Sequence, residues 1–430
     1  MRDFLQVRSR IVASLVLALT FHSHPGLNAQ ALCDSTSRGL IPLTELTGTY
    51  LGESGGLYHN GLNVPPMDHD SAGQAIAQTF VALDTLGQPD ANGKWIFLSV
   101  GMSNCAQEFN SFIAAVQSDV DLHPNLRIFN GAQGGQTAAI IRHDTARFWD
   151  NIEHILRING QTPIQVQAVW LKEADAGPNN PFPGHAITLR DELRDIVQVA
   201  KSKYPNLKQI FMSSRTYAGY ASTPLNPEPY AYESGFSVRW LIESQINGLD
   251  SLNYDPDNGD VRAPWLAWGP YLYTDGIVPR QSDGLQWFCS DVSQTDGTHP
   301  SNAGRDKVAA LLEDFLRNSP YTIPWFRNPT PPQCECDCHG NPQLYDEGPA
   351  KSDATLVPFC DGDHNISDVQ RTIFNAFRGS AGQPDPNPNC TTQMTDVDCS
   401  GATDVLDVIL MVNVSFRGAN PATVFCNPCP

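Results

Sequence analysis

Three short segments of this chain carry residue types that could perform acyl transfer. Gly101-Met-Ser-Asn104 follows the apolar run Trp95-Ile-Phe-Leu-Ser-Val100. A serine on the turn between a buried strand and a helix is held at the sheet's edge near free backbone N–H groups, which suits a nucleophile. The same position also suits a helix cap. Asn130-Gly-Ala-Gln-Gly-Gly-Gln-Thr137 follows a second apolar run. Its paired glycines let backbone approach a ligand, so their N–H groups can serve an oxyanion hole, or they form a tight turn. Asp296-Gly-Thr-His299-Pro-Ser stands just before the last helical stretch. An Asp three residues ahead of a His can fold back in one turn, so that its carboxylate holds one ring nitrogen and leaves the other facing the serine. Read alone, the segment is a helix-start turn with Asp and Ser caps. Read together, the three segments make Ser103, His299 and Asp296 candidates for nucleophile, general base and orienting acid.

Further residues could join them. Lys172 ends the run Val166-Gln-Ala-Val-Trp-Leu171, where an ammonium could stabilise an oxyanion or simply lie on the surface. Tyr58, Asn63 and His69, in the stretch 55–69, could line a sugar-sized pocket or belong to an ordered loop. Trp265, Trp268, Tyr271 and Tyr273 could stack on sugar rings or fill the core.

A second kind of chemistry lies near the C-terminus. Asp396-Val-Asp-Cys-Ser-Gly-Ala-Thr-Asp-Val-Leu-Asp407 places oxygen side chains at loop positions 1, 3, 5, 9 and 12, with Gly401 at the sixth. A hard cation needs several oxygens converging from a short loop, so this spacing predicts calcium on Asp396, Asp398, Ser400 and Asp407 and the Ala402 carbonyl, with Asp404 acting through water. An acidic capped loop is the alternative. Asp368–Gly379 and Asp407–Gly418 are two copies of one helical unit. Asp361–Asp368 aligns with the later half of the loop, but Val357 and Phe359 stand at positions 1 and 3 and cannot ligate by side chain.

The elements that must position these residues follow from periodicity. Apolar runs at 95–100, 126–129, 166–171, 209–212 and 265–268 read as strands. Stretches at about 104–118, 144–158, 188–204, 233–247 and 303–317 have helical spacing. The alternation predicts an α/β, doubly wound, mostly parallel sheet with helices on both faces, and chemistry at the C-terminal strand ends. That domain is placed at 45–318. The proline-rich stretch 319–333 reads as a linker, and 334–430 as a small, α-helical, cysteine-rich calcium-binding domain.

Arg2, Arg8 and Arg10, the apolar run 11–21 and small residues at 29 and 31 read as a secretory signal over 1–31, followed by a secreted or cell-surface-associated chain. The run is too short to cross a bilayer, and no later segment is a membrane span. The net charge of −19 excludes nucleic acid as the partner, because phosphate contacts need Lys and Arg. Eight of the 11 cysteines lie beyond residue 330, a disulfide framework in an exported chain. Cys334, Cys336 and Cys338 with His339 could instead hold zinc. Cys105 and Cys289 flank the catalytic segments and are expected to form a disulfide between them, the alternative being two buried thiols.

The three segments, in this order, resemble the SGNH (GDSL-like) hydrolases over roughly 94–318. Gly-Met-Ser-Asn stands where that family has Gly-Asp-Ser, and in this detail it is closer to the Gly-Gln-Ser-Asn of sialate O-acetylesterases and related carbohydrate acetyl esterases. The resemblance implies a flavodoxin-like fold, a Ser103–His299–Asp296 triad, and the N–H groups of Ser103 and Gly135 as oxyanion donors. The Asn that the family carries after the third strand is absent, and Lys172 could replace it. The acidic repeat resembles a type I dockerin, with Asp rather than Glu at position 12, which implies a cohesin-like partner. The expected function is a secreted esterase acting on O-acyl, especially O-acetyl, groups of carbohydrates. The alternatives are a general carboxylesterase or lipase, and a non-catalytic surface or adhesion protein that retains the fold.

Overall fold

The five apolar runs form one sheet. The computed structural model describes residues 30–328, Ala402 and residues 404–417. A short antiparallel hairpin of β1 (Thr49–Tyr50) and β2 (Glu53–Ser54) comes first. Strands β3 (Trp95–Gly101), β4 (Leu126–Asn130), β5 (Val166–Lys172), β6 (Gln209–Met212) and β7 (Trp265–Trp268) then pair in parallel, in the order β4-β3-β5-β6-β7. This is the flavodoxin-like doubly wound order. Every residue of β3, β5, β6 and β7 is buried, as a sheet covered on both faces requires, while β4 lies at the edge and is partly open.

The helices are α1 (Met67–Ala77), α2 (Ser103–Val116), α3 (Ala138–Ile141), α4 (Arg147–Ile158), α5 (Gly184–Lys203), α6 (Tyr230–Ile246), α7 (Asn302–Asn318), α8 (Ile323–Phe326) and α9 (Val405–Arg417). The crossover from β3 runs one way along the sheet and the next runs back past it. Right-handed crossovers then put α2 and the following helices on opposite faces. Accordingly α2 packs on α7, and α5 on α6. The five long helices of the α/β domain begin or end within a few residues of their sequence-expected bounds.

Three expectations need correction. The proline-rich stretch is not linker from its first residue. Trp325 is fully buried, stacks on Phe80 at 5.0 Å, and donates its indole N–H toward Gln209 Oε1 and the Tyr321 carbonyl. Pro324 sits in the first turn of α8, where its missing N–H costs nothing. The domain also starts earlier than residue 45. Asp275 accepts bonds from the Ser37 hydroxyl and from the N–H groups of Arg38 and Gly39, and buried Leu43 donates its N–H to the Tyr271 hydroxyl. Finally, Cys289 pairs with Cys33, across a Cα–Cα distance of 5.3 Å, and Cys105 is a buried free thiol. The reason is azimuthal. Two residues along a helix are about 200° apart, so when Ser103 faces the His299 loop, Cys105 faces the sheet.

Candidate active site

The nucleophile candidate stands where the chain reverses direction in the sheet. That point, between β3 and β5, is where open α/β sheets leave a crevice at the carboxyl ends of their strands. β3 ends at Gly101, whose backbone is so close to its neighbours that a Cβ there would lie 2.3 Å from the Lys172 carbonyl and 2.7 Å from Cys105 Cβ. Met102 is extended and caps α2, and Ser103 is the first helical residue. Its N–H therefore belongs to the unsatisfied first turn, at the positive end of the helix dipole.

The Asp-x-x-His segment closes on it. Ser103 Oγ lies 2.8 Å from His299 Nε2, and His299 Nδ1 lies 2.6 Å from Asp296 Oδ2. The other Asp296 oxygen accepts the N–H groups of Thr298 at 2.9 Å and His299 at 3.0 Å. Burial pushes the Asp296 carboxyl up, but these bonds together outweigh it and hold the group below its ordinary value. Gly297 makes the turn possible. Its φ is +63°, and a Cβ there would sit 1.8 Å from the Tyr220 carbonyl. The loop is held on the far side by Ser222, whose N–H and hydroxyl donate to the Asp296 carbonyl, and it runs into α7 through Ser301, which caps that helix.

The glycine loop after β4 completes the mouth. Gln133 donates its N–H to the Gly101 carbonyl, which fixes the loop to the end of β3. Gly134 lies against the nucleophile, its would-be Cβ 4.0 Å from Ser103 Cβ. Gly135 has φ +73° and open space where a side chain would point. The N–H groups of Ser103 and Gly135 donate to no acceptor among the described residues. The sequence reading did not single out Gly134; its position in the glycine pair was the available signal.

Lys172 is placed elsewhere. Its Nζ lies 2.5 Å from both carboxylate oxygens of Glu108, and each side chain is 1% exposed. Burial pulls the ammonium's pKa down, and the Glu108 charge restores it only in part. The expectation of an oxyanion donor gives way to a buried ion pair tying β5 to α2. An acidic residue on the apolar face of α2 was the only hint in the sequence.

The suggested sugar-binding residues are not brought to Ser103 by any described contact. Asn63 accepts the Leu57 N–H and donates to the Thr44 carbonyl, which staples its own loop. Tyr58 is buried. His69, in α1, has Nε2 2.8 Å from the Leu266 carbonyl and stacks on Trp265 at 4.9 Å; burial lowers its pKa. Trp265, Trp268, Tyr271 and Tyr273 are core residues.

Of the calcium loop, Asp396, Asp398 and Ser400 lie outside the described residues, as do the 334–338 cysteines, the signal segment through residue 29 and the first repeat. Ala402 is exposed. Asp404 Oδ1 accepts the Leu406 N–H, and Asp407 Oδ2 accepts the Asp404 N–H, each at 2.7 Å. Two hard oxygen donors thus stand at the start of α9, in a reciprocal helix cap. No helix among the described residues is long and apolar enough to cross a membrane.

No family model and no curated protein matches the chain. Among the solved structures that resemble part of it are two of bacterial proteins. One is the protein YxiM of Bacillus subtilis, 16% identical over 54% of this chain and 57% of that one, with a TM-score of 0.29. The other is the periplasmic domain of a lipopolysaccharide acetyltransferase of Salmonella serovar Paratyphi A, 14% identical over 58% of this chain and 96% of that one, also with a TM-score of 0.29. The chain thus spans little more than half of YxiM's length.

Proposed function

We propose that this chain is an exported serine esterase that hydrolyses O-acyl groups, acetyl foremost, on carbohydrates. The observation that carries the reading is the continuous hydrogen-bond chain Ser103–His299–Asp296 at the carboxyl end of β3. Ser103 Oγ attacks the ester carbonyl while His299 Nε2 takes its proton. Asp296 holds the ring in the tautomer that leaves Nε2 free, and its charge stabilises the imidazolium. The N–H groups of Ser103 and Gly135 receive the oxyanion. The acyl C–O bond to the sugar then breaks as His299 gives the proton to the departing sugar oxygen, which leaves as the free hydroxyl, with an acyl-serine behind it. Water, deprotonated by the same ring, releases the acid and restores Ser103. The carbohydrate half of the reading is supported by the Gly-Met-Ser-Asn resemblance. The export signal supports secretion or cell-surface association, and the 396–407 loop supports a calcium-dependent docking tail with a cohesin-like partner.

The test uses the mature full-length protein with short aryl acetates, acetylated polysaccharides and a fluorophosphonate probe. Ser103→Ala should abolish labelling and lower aryl acetate turnover by several orders of magnitude, since members of such a unit fail together. Unchanged turnover would sink the assignment. Acetate release from a polysaccharide by the parent, absent in the variant, fixes the carbohydrate substrate.

A further inference from the structure

We propose that Asn104 is a positioning residue that sets the approach of His299 to Ser103. The inference rests on the reading of those two residues as base and nucleophile. Asn104 is 1% exposed, and its Nδ2 donates to the Thr298 carbonyl at 2.9 Å. That carbonyl belongs to the peptide leading into His299. The bond therefore runs beside the 2.8 Å contact between Ser103 Oγ and His299 Nε2. Two chain neighbours on α2 are bonded to two chain neighbours on the base loop, which closes a small ring around the reacting pair.

The other ties of this loop do different work. Asp296 fixes the rotation of the imidazole, but it belongs to the same loop and moves with it. Ser222 and the Gly297–Tyr220 contact hold the loop to the segment after β6. Apart from the Ser103–His299 contact itself, the Asn104 bond is the only hydrogen bond joining α2 to residues 296–299 among the described residues. It is thus the hydrogen bond that ties the base loop directly to the nucleophile's own helix, beside the packing of α7 on α2. The side chain is not there for packing alone. Its Oδ1 is buried with no hydrogen-bond partner among the described residues, a cost that an apolar residue of the same size would avoid. Asn is also a poor residue for a helical first turn beyond the cap. The donor group is what the site uses.

The full-length chain and its Ser103→Ala, Asn104→Ala and Asn104→Asp variants test this, with kcat and KM on an aryl acetate across pH and a thermal melt of each. Asn104→Ala should lower kcat by about 10- to 100-fold with KM within about twofold, the pattern of a small misplacement of reacting groups. Asn104→Asp lacks the donor and sets a carboxylate beside the base. A nearby negative charge favours the imidazolium, so the acid limb of kcat/KM should move to higher pH. The proposal is overturned if Asn104→Ala keeps the parent's kcat. It is equally overturned if lost kcat merely tracks lost folded protein while Asn104→Asp keeps the parent's pH profile. Ser103→Ala separates the two levels: turnover surviving in that variant defeats the site assignment itself, whereas a dead Ser103→Ala beside a parent-like Asn104→Ala defeats only the role of Asn104.

Discussion

Replacing Lys172 by Met strands the Glu108 carboxylate, which is 1% exposed and has both oxygens 2.5 Å from the lysine. Breaking a buried pair from one side costs about 3–5 kcal/mol. The chemistry of the remaining group supplies a second, independent limit. Glu108 can escape burial of its charge by binding a proton. Holding a proton at pH 7 on a carboxyl of ordinary pKa ~4.3 costs about 3.7 kcal/mol, at ~1.36 kcal/mol per unit. That figure limits only the cost of the stranded charge, and buried Arg215, which attracts Glu108, lowers it further. At pH 5 the same limit is only about 1 kcal/mol. The penalty should therefore appear as pH rises above the carboxyl's unfolded value and grow toward neutrality. Denaturant unfolding of the parent and Lys172→Met between pH 5 and 8 reads it directly. The double variant Lys172→Met, Glu108→Leu removes both charges and should recover most of the loss, as buried pairs replaced by apolar residues usually do. It should also keep esterase turnover, since Lys172 is not at the oxyanion. A Lys172→Met penalty below about 1 kcal/mol at pH 7, or one that does not change with pH, would refute the reasoning. A stable double variant without turnover would restore Lys172 to the catalytic site.

Two other outcomes follow from the same geometry. Asp296→Ala should reduce turnover by fewer orders of magnitude than Ser103→Ala, because the imidazole still finds its place part of the time. The bonds that hold the Asp296 carboxyl below its ordinary value make its stabilisation complete above about pH 4 and lost only as pH falls through the lowered folded value. Melts of parent and Asp296→Ala should converge only in that acidic range, and convergence near pH 6 would contradict the account. Trp325→Ala should destabilise the α/β domain by about 3–5 kcal/mol, with a further ~1–3 kcal/mol if Gln209 Oε1 is left without its donor. A variant as stable as the parent would mean that the segment beyond residue 318 is a linker after all.

The sequence alone determined what depends on local order. Fully buried parallel strands need largely apolar runs, and those of β3, β5, β6 and β7 were visible, as was the shorter run of the edge strand β4. Helical spacing located α2, α4, α5, α6 and α7. The Asp296–His299 contact spans one turn of chain, so its spacing could be read directly, and the strand-to-helix turn marked Ser103. Only the tertiary structure decided which distant groups meet. Lys172 has no partner in its own neighbourhood of the chain, and Glu108 reaches it only because α2 packs over β3 and β4 with its side chains extending to the neighbouring β5. Cys289 takes Cys33 because the N-terminal segment folds back beside it, while Cys105 points into the sheet. Trp325 follows a proline-rich signature yet fills the floor of the sheet against Phe80 and Gln209. Asn104 and Thr298 are separated by most of the domain and touch because β3 and the final loop end on the same edge. Periodicity fixes which face of an element is apolar. It carries no information on azimuth and long-range approach between elements, and those set every one of these pairings.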